Sequence, residues 1–393
     1  MQDKNRIARR QFVGLLAAVL PFSMHASSQN LTGSQELMLL LVGTYTSGES
    51  KSKGIYLLRF DGRNGGITSH GVVSGVEDPS FLVSDRSRKF VYAVNETLEY
   101  NGKKSGSVSS FSLRTDTGSL TLLNKQPSVG AAPCHLTVSR NGRFVLVANY
   151  LGGNVAVLPV NKDGSLAPAV DVEQHVGSGP DKGRQEAAHA HSVILDPNGR
   201  FAFVNDLGVD RIFIYEFDPM TGSLSRNRNQ PYYQTKSGAG PRHFKFHPSG
   251  KYAFVINELD MTISSLAYDA AKGTLRDVQT VSTVPVGFSG ENTCADINIT
   301  PDGAFLYGSN RGHDSLVGFK IYSSSGKLEL IGHTPTRGKT PRNFTIDPSG
   351  KYLLVANQRS DSIVVFEIEK SIGELKPVGE GINIPSPVCL QLI

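Results

Sequence analysis

Four side chains interrupt an otherwise regular β-strand sequence and carry groups that can do chemistry: His191, Arg242, Glu258 and Arg311. An imidazole or a carboxylate can take a proton from water. Guanidinium groups can stabilise negative charge on a carbonyl oxygen, or hold a carboxylate or phosphate through paired hydrogen bonds. The set therefore predicts proton transfer beside a developing oxyanion. Because a carboxylate between two arginines has a lowered pKa, we favour His191 over Glu258 as the base.

Neighbouring positions supply the candidates for substrate contacts, which are His135, His189, His243, Asp296 and Arg342. His189 and His191 are two residues apart, which would place both rings on one strand face at a spacing compatible with metal. No cysteine or carboxylate is tied to this pair by spacing, so we expect no metal and no other cofactor. Cys134, Cys294 and Cys389 are odd in number and scattered, which predicts packed strand residues rather than a disulfide framework.

A repeat of about fifty residues positions these groups. Six segments align on a tight turn, and they begin at Pro79, Pro133, Ala190, Pro241, Cys294 and Pro341, spaced 54, 57, 51, 53 and 47 residues apart. In each, an alternating strand leads through an x-Gly turn into a second β-rich run. A third strand comes next, and it is usually followed by an Asp/Asn-x-x-Gly-type turn and then by a fourth strand. Each repeat therefore predicts four antiparallel strands.

The chain ends supply a seventh unit. Pro387–Leu392 matches the first strand of the repeat, while residues 39–45 and 54–60 match the next two. A single four-stranded sheet cannot bury both faces, but a ring of such sheets can. The sequence thus predicts an all-β, seven-bladed β-propeller over residues 37–393, closed by pairing of its N- and C-terminal strands. Residues 177–185 are expected to form a long exposed loop.

The repeat also predicts where the chemical groups meet. His191 and Arg242 lie at the start of first strands, whereas Glu258 and Arg311 follow second strands. Antiparallel neighbours bring these positions to the same end of the central channel. Three adjacent blades would therefore present all four side chains at one channel mouth.

Composition excludes several classes of function. The 393 residues carry 40 Lys and Arg against 35 Asp and Glu, a net charge of +5. Residues 1–26 hold four of the bases and one of the acids, which leaves only +2 for the rest, too little for a nucleic-acid-binding stripe. No Gly-x-Ser-x-Gly, Walker or strand-linked Gly-x-Gly-x-x-Gly motif is present. We expect a monomer that acts on a small molecule and binds no nucleic acid.

The N-terminus has the layout of an export signal over residues 1–26, with a linker at 27–36. A basic region ends at Arg9-Arg10-x-Phe12, and a short apolar stretch from Val13 to Phe22 follows. The paired arginines resemble a twin-arginine signal. The apolar stretch is too short to cross a bilayer. We therefore expect a periplasmic or secreted protein without a membrane span in its mature form.

Five short motifs carry a family resemblance: residues 240–244 (Gly-Pro-Arg-His-Phe), 257–258 (Asn-Glu), 294–296 (Cys-Ala-Asp), 309–311 (Ser-Asn-Arg) and 340–342 (Thr-Pro-Arg). With them, about 350 residues resemble the lactonase family of seven-bladed propellers. That family includes cycloisomerase-type 6-phosphogluconolactonases and carboxy-muconate lactonizing enzymes. The resemblance implies an active site of one His, two Arg and one Glu, at His191, Arg242, Glu258 and Arg311.

The resemblance implies metal-independent hydrolysis of a lactone ring in an anionic sugar lactone, either a 6-phosphogluconolactone or an aldonolactone. An export signal favours the aldonolactone, because phosphorylated sugars belong to the cytoplasm. Two alternatives stay open. One is cycloisomerisation of a carboxylated muconate in the same cationic pocket. The other is a non-catalytic exported propeller that binds a sugar or a protein.

Overall fold

The structure, a computed structural model, describes residues 37–393. The predicted export signal (1–26) and linker (27–36) lie outside these residues. The strands of the first half are β1 Leu37–Thr44, β2 Gly54–Asp61, β3 Gly66–Ser74, β4 Leu82–Ser84, β5 Phe90–Asn95, β6 Ser107–Arg114, β7 Ser119–Pro127, β8 Pro133–Val138, β9 Phe144–Asn149, β10 Asn154–Pro159, β11 Asp171–Gln174, β12 Ala190–Leu195, β13 Phe201–Asp206, β14 Arg211–Phe217, β15 Leu224–Arg226 and β16 Tyr232–Gln234.

The strands of the second half are β17 Pro241–Phe246, β18 Tyr252–Asn257, β19 Thr262–Asp269, β20 Thr274–Ser282, β21 Thr293–Ile299, β22 Phe305–Arg311, β23 Ser315–Tyr322, β24 Lys327–Pro335, β25 Pro341–Ile346, β26 Tyr352–Asn357, β27 Ser362–Ile368, β28 Leu375–Asn383 and β29 Pro387–Leu392. Two 3₁₀ helices, Leu207–Val209 and Gln358–Ser360, follow β13 and β26. No helix among residues 37–393 is long and apolar enough to cross a membrane.

These strands form seven antiparallel sheets, which we number as blades 1 to 7 in chain order. Blade 1 has the order β29-β1-β2-β3, so the last strand of the chain pairs with the first, from Leu40 opposite Leu392 to Thr44 opposite Pro387. The other blades are built from consecutive strands, and only blade 4 has a fifth, because β15 and β16 both pair with β14. The predicted all-β seven-bladed propeller and its terminal closure are therefore confirmed.

The hydrophobic core lies between neighbouring blades. Leu40 and Val42 of blade 1, for example, share a buried cluster with Leu354 and Ala356 of blade 7. Alternation along each strand sends one set of side chains to each neighbouring sheet, so both sheet faces are covered. The closing strand takes part, since Val388, Cys389 and Leu390 are all buried.

The recurring turn glycine has a packing role. Gly164 and Gly326 connect the third and fourth strands of their blades with φ values of 87° and 72°, which favour glycine. A Cβ atom at Gly164 would lie 2.1 Å from the ring of Phe90, and one at Gly326 would lie 2.4 Å from the ring of Tyr252. Both rings begin the second strand of the preceding blade. The turn glycine therefore lets each blade close against its neighbour.

The first strands of the blades, β29, β4, β8, β12, β17, β21 and β25, contact one another in a ring. They enclose a cavity of about 310 Å³ that is lined by residues of all seven. The segments that precede the first strands and those that follow the second strands lie at the same end of this channel. We call that end the upper face.

Candidate active site at the upper mouth of the channel

A β-bulge at the start of the first strands brings consecutive side chains into the channel. The register with the second strand shifts between Ala190 and Ser192, between Pro241 and His243, and between Pro341 and Asn343. The skipped residues in these three strands are His191, Arg242 and Arg342. A bulge re-aims side chains that would otherwise alternate between the faces of a strand. Arg242 and His243 are accordingly both buried, with Arg242 Nη1 3.1 Å from His243 Nε2.

Glu258 is the centre of a buried ion cluster. Arg242 Nε and Arg311 Nη2 each lie 2.9 Å from Glu258 Oε2, and the side chains of Arg242 and Glu258 are only 3% exposed. Backbone carbonyls fix both guanidinium groups, because Arg242 Nη1 donates to Ala295 O and Arg311 Nη2 donates to Cys294 O. Arg242 Nε is thus held against Glu258, and the buried Nε–H of Arg311 has no hydrogen-bond acceptor among the described residues. Both guanidinium groups are therefore held in fixed positions at the channel mouth.

The electrostatics of this cluster define the role of Glu258. Burial raises the pKa of the Glu258 carboxyl, but Arg311, Arg242 and Arg184 more than offset burial and lower the pKa to about 2. Burial, with the charge of Arg311, lowers the pKa of Arg242 to about 10. Glu258 is therefore an anion at neutral pH and a weak base, in agreement with the sequence argument.

Arg184 joins the cluster from the loop between β11 and β12, and sequence reasoning missed it. Its Nη2 lies 2.5 Å from Glu258 Oε1, so three guanidinium groups surround one carboxylate. The loop was expected to be exposed through residue 185, but Gln185 is fully buried, which corrects that expectation. Gln185 Nε2 donates to Leu207 O and to Asp210 Oδ1, at 2.8 and 2.7 Å. These bonds tie the loop to blade 4 and hold Arg184 over the channel.

His191 lies beside the cluster in its neutral form. Its Nε2 is 4.0 Å from Glu258 Oε2, and its Nδ1 is 3.7 Å from Cys134 Sγ. Burial, with the charges of Arg242 and other nearby bases, holds the pKa of His191 well below its usual value. A neutral imidazole has a lone pair that can accept a proton, and the adjacent carboxylate stabilises the cation that results.

The two-residue spacing predicted that His189 and His191 share one strand face, but His189 lies outside the strand. It precedes β12, and its ring stacks on Tyr150 with centroids 4.4 Å apart. Its nitrogens are both engaged, Nδ1 with Tyr150 O and Nε2 with Glu186 Oε1, each at 3.0 Å. Among residues 37–393, no group of three or more His, Cys, Asp or Glu side chains is arranged to hold a metal ion.

A second carboxylate lies on the opposite side of the mouth. Glu96 Oε2 accepts hydrogen bonds from Tyr45 and Ser80, at 2.9 and 2.5 Å, and Tyr45 in turn accepts one from Arg342 Nη2 at 2.7 Å. Burial raises the pKa of the Glu96 carboxyl, although Arg342 acts in the opposite direction. Glu96 follows β5 just as Glu258 follows β18. This equivalent position in the repeat is the signal that could have placed Glu96 in the site.

His135, His243 and Asp296 form a deeper layer in the channel. Asp296 Oδ1 lies 2.7 Å from His243 Nδ1, and the rings of His135 and His243 are 5.4 Å apart. Because the carboxylate only accepts, Nδ1 carries the proton and His243 Nε2 accepts a hydrogen bond from Arg242. His243 and Asp296 therefore bond to each other and support Arg242 from below, and the substrate contacts predicted for them stay predictions. His135 stacks on Phe81 at 4.2 Å in the same layer.

The three cysteines are free and buried in β8, β21 and β29. This confirms the prediction that they are packed strand residues. Burial raises the pKa of the Cys134 thiol. Cys134 therefore stays protonated beside His191 and is a poor nucleophile.

The fold and this arrangement define a class of protein: a seven-bladed propeller with a buried arginine–carboxylate cluster at one mouth of its channel. The model of the family "Lactonase, 7-bladed beta-propeller" matches residues 39–392. The chain belongs to that lactonase family.

Named and solved relatives resemble the chain over most of its length. The 6-phosphogluconolactonase of Bacillus subtilis is 35% identical over 77% of this chain and 83% of its own. The 6-phosphogluconolactonase of Formosa agariphila is 35% identical over 78% of this chain and 85% of its own. The structure of a periplasmic gluconolactonase from Pseudomonas aeruginosa superimposes with a TM-score of 0.85, 34% identity, and coverage of 91% of this chain and 99% of that one.

Proposed function

We propose that this protein hydrolyses the lactone ring of an anionic sugar lactone without a metal ion. The observation that carries the proposal is the buried Arg242–Glu258–Arg311 cluster, in which Glu258 and two backbone carbonyls fix both guanidinium groups at the channel mouth. Donors that are already oriented stabilise an oxyanion without reorganisation at the moment of reaction. Relatives named 6-phosphogluconolactonase and gluconolactonase support the same reaction class.

In the proposed reaction the lactone carbonyl oxygen faces Arg242 and Arg311. Water attacks the carbonyl carbon, and His191 Nε2 takes a proton from that water. The resulting oxyanion is stabilised by the guanidinium groups, and the imidazolium by Glu258. When the ring carbon–oxygen bond breaks, His191 returns its proton to the departing ring oxygen. The product carboxylic acid ionises and releases one proton to solution.

Substrate binding would also strengthen the base. Part of the depression of the His191 pKa comes from the positive charges of Arg242 and Arg342. An anionic substrate held by these arginines offsets their field at the imidazole. His191 is therefore a poorer base in the free protein than in the complex. This linkage favours proton transfer only when a substrate is bound.

The proposal includes export, which the Arg9-Arg10 pair supports. These residues lie outside those that the structure describes, but a solved neighbour is described as periplasmic. Lys keeps the charge of Arg and loses its fork of donors. We therefore expect an Arg9→Lys/Arg10→Lys precursor to stay in the cytoplasm. Periplasmic accumulation at the normal level would contradict a twin-arginine route.

The function is tested by a pH-stat screen of the purified protein on glucono-1,5-lactone, 6-phosphogluconolactone and muconolactone, with and without EDTA. We expect acid release from a sugar lactone that EDTA does not reduce. His191→Gln should remove turnover, while binding of the ring-opened product persists. Loss of activity with EDTA would contradict the metal-independent mechanism. Failure to open any lactone would leave the binding-module alternative.

A further inference from the structure

A lateral groove leads away from the channel mouth between blades 6 and 7. It has a volume of about 430 Å³, within the range of small-molecule sites. Arg311 and Arg342 line its inner end, and Lys339 and Arg359 line it further out. Arg342 also lines the small space beside Glu96 and Arg242. The groove therefore adjoins the candidate active site on the upper face.

More basic than acidic side chains line the groove. The outer pair, Lys339 and Arg359, is exposed, and neither side chain makes an ion pair within the described chain. The inner Arg311 is 13% exposed, and its buried Nε–H has no acceptor. Two acids oppose these charges, Glu291 and Asp314.

Asp314, one of the two acids, already accepts hydrogen bonds from the backbone. Asp314 Oδ1 accepts hydrogen bonds from the backbone N–H groups of Thr340 at 2.8 Å and of Gly312 at 3.3 Å. This carboxylate therefore serves to hold the two loops that form the groove. Glu291 is left as an exposed acid in a groove lined by four cations, of which Arg311 is paired with Glu258. A groove with this balance favours an anion.

We propose that the groove binds a remote anionic group of the substrate, a phosphate or a carboxylate, while the lactone ring lies at the channel mouth. The inference rests on the proposed function and assigns the residues that recognise a second charge distant from the ring carbonyl. Arg311 lies where the two regions meet, so it can contact the ring end, and Lys339 and Arg359 receive the tail. Neutral aldonolactones would use only the inner part of the site.

The test compares wild type with a Lys339→Glu/Arg359→Glu variant at low ionic strength, where screening is weakest. Lys162→Glu is the matched control, because Lys162 is exposed in the turn between β10 and β11, at the opposite end of the sheets. The substrates are 6-phosphogluconolactone, glucaro-1,4-lactone and glucono-1,5-lactone. Binding of 6-phosphogluconate and of gluconate is measured by calorimetry, which needs no turnover.

We expect the double variant to raise KM for the charged lactones about tenfold or more, because reversing two charges replaces attraction by repulsion. The kcat should hold, and glucono-1,5-lactone should change less than about twofold. The charged lactone whose KM rises more identifies the tail as a phosphate or a carboxylate. Equal losses on charged and neutral lactones, or none on either, would overturn the groove assignment. If no lactone is opened but 6-phosphogluconate binding needs Lys339 and Arg359, the groove stands and the hydrolytic function fails.

Discussion

Asp296→Asn tests the idea that the deeper layer orients Arg242. In the native arrangement Asp296 Oδ1 accepts from His243 Nδ1, and Oδ2 accepts from Asn343 Nδ2 at 2.6 Å. An asparagine has one acceptor and one donor end, so it cannot satisfy both neighbours. If its oxygen faces His243, its amide group opposes the amide of Asn343. If the asparagine amide is reversed, its NH₂ group faces His243 Nδ1. The ring proton of His243 then moves to Nε2, where it opposes the N–H donor of Arg242.

The size of the effect follows from the bonds that are lost. A buried hydrogen bond to a charged acceptor contributes about 1.5–3 kcal/mol, so Arg242 should be misplaced at a cost of about 2 kcal/mol, or roughly thirtyfold in rate. Because Arg242 is proposed to act on the developing oxyanion, most of the loss should fall on kcat rather than on KM. The expected loss arises through His243, which links Asp296 to Arg242.

The assay is steady-state hydrolysis of the preferred lactone, with thermal unfolding of each variant measured in parallel. Asp347→Asn is the stability control, since Asp347 Oδ1 accepts from the Tyr352 backbone N–H at 2.6 Å in a turn at the lower end of blade 7. That variant should lose stability and keep kcat. If Asp296→Asn retains wild-type kcat, or if both variants lose kcat in proportion to their stability, the positioning role is refuted.

Three other expectations concern stability and the loop. Burial lowers the pKa of His243 to about 4 and the pKa values of His135 and His191 well below 6.5. Below about pH 6.5 the unfolded chain therefore binds more protons than the folded protein. The free energy of unfolding, measured by urea titration, should be lower at pH 5 than at pH 7, by about 1.4 kcal/mol per pH unit for each extra proton bound. A pH-independent stability would contradict the buried neutral imidazoles. Deletion of residues 387–393 removes the inner strand of blade 1 and should abolish cooperative melting, whereas an unchanged melting temperature would refute the closure. Arg184→Ala should lower kcat/KM about threefold to tenfold, because Glu258 loses one of its three partners and the cluster loosens; unchanged kinetics would show that the loop does not support the site.

Much of the fold follows from the sequence because its patterns are local and recur. The closing strand Pro387–Leu392 begins and ends as predicted, and the strands predicted at 39–45 and 54–60 form at Leu37–Thr44 and Gly54–Asp61. Period-two patterns bounded by glycine turns fix such elements. The convergence of His191 and Glu258 also follows, because antiparallel strands bring predictable ends together.

The parts that were missed depend on contacts distant in sequence. Arg184 meets Glu258 across 74 residues from within an irregular loop, and no periodic pattern reports that approach. The bulge that turns both Arg242 and His243 into the channel is also invisible to a period of two. Repeats reveal scaffolds, whereas hydrogen-bond partners depend on tertiary packing.

The central claim is that fixed guanidinium groups at the channel mouth open the lactone, and Arg311→Ala tests it most directly. In this variant Glu258 retains its ion pairs with Arg242 and Arg184, so the melting temperature should change little. Measured on the lactone that wild type hydrolyses best, kcat/KM should fall by about 3 kcal/mol, or roughly a hundredfold or more, the usual loss for one oxyanion stabiliser. Near-wild-type turnover by a folded Arg311→Ala protein would contradict the account.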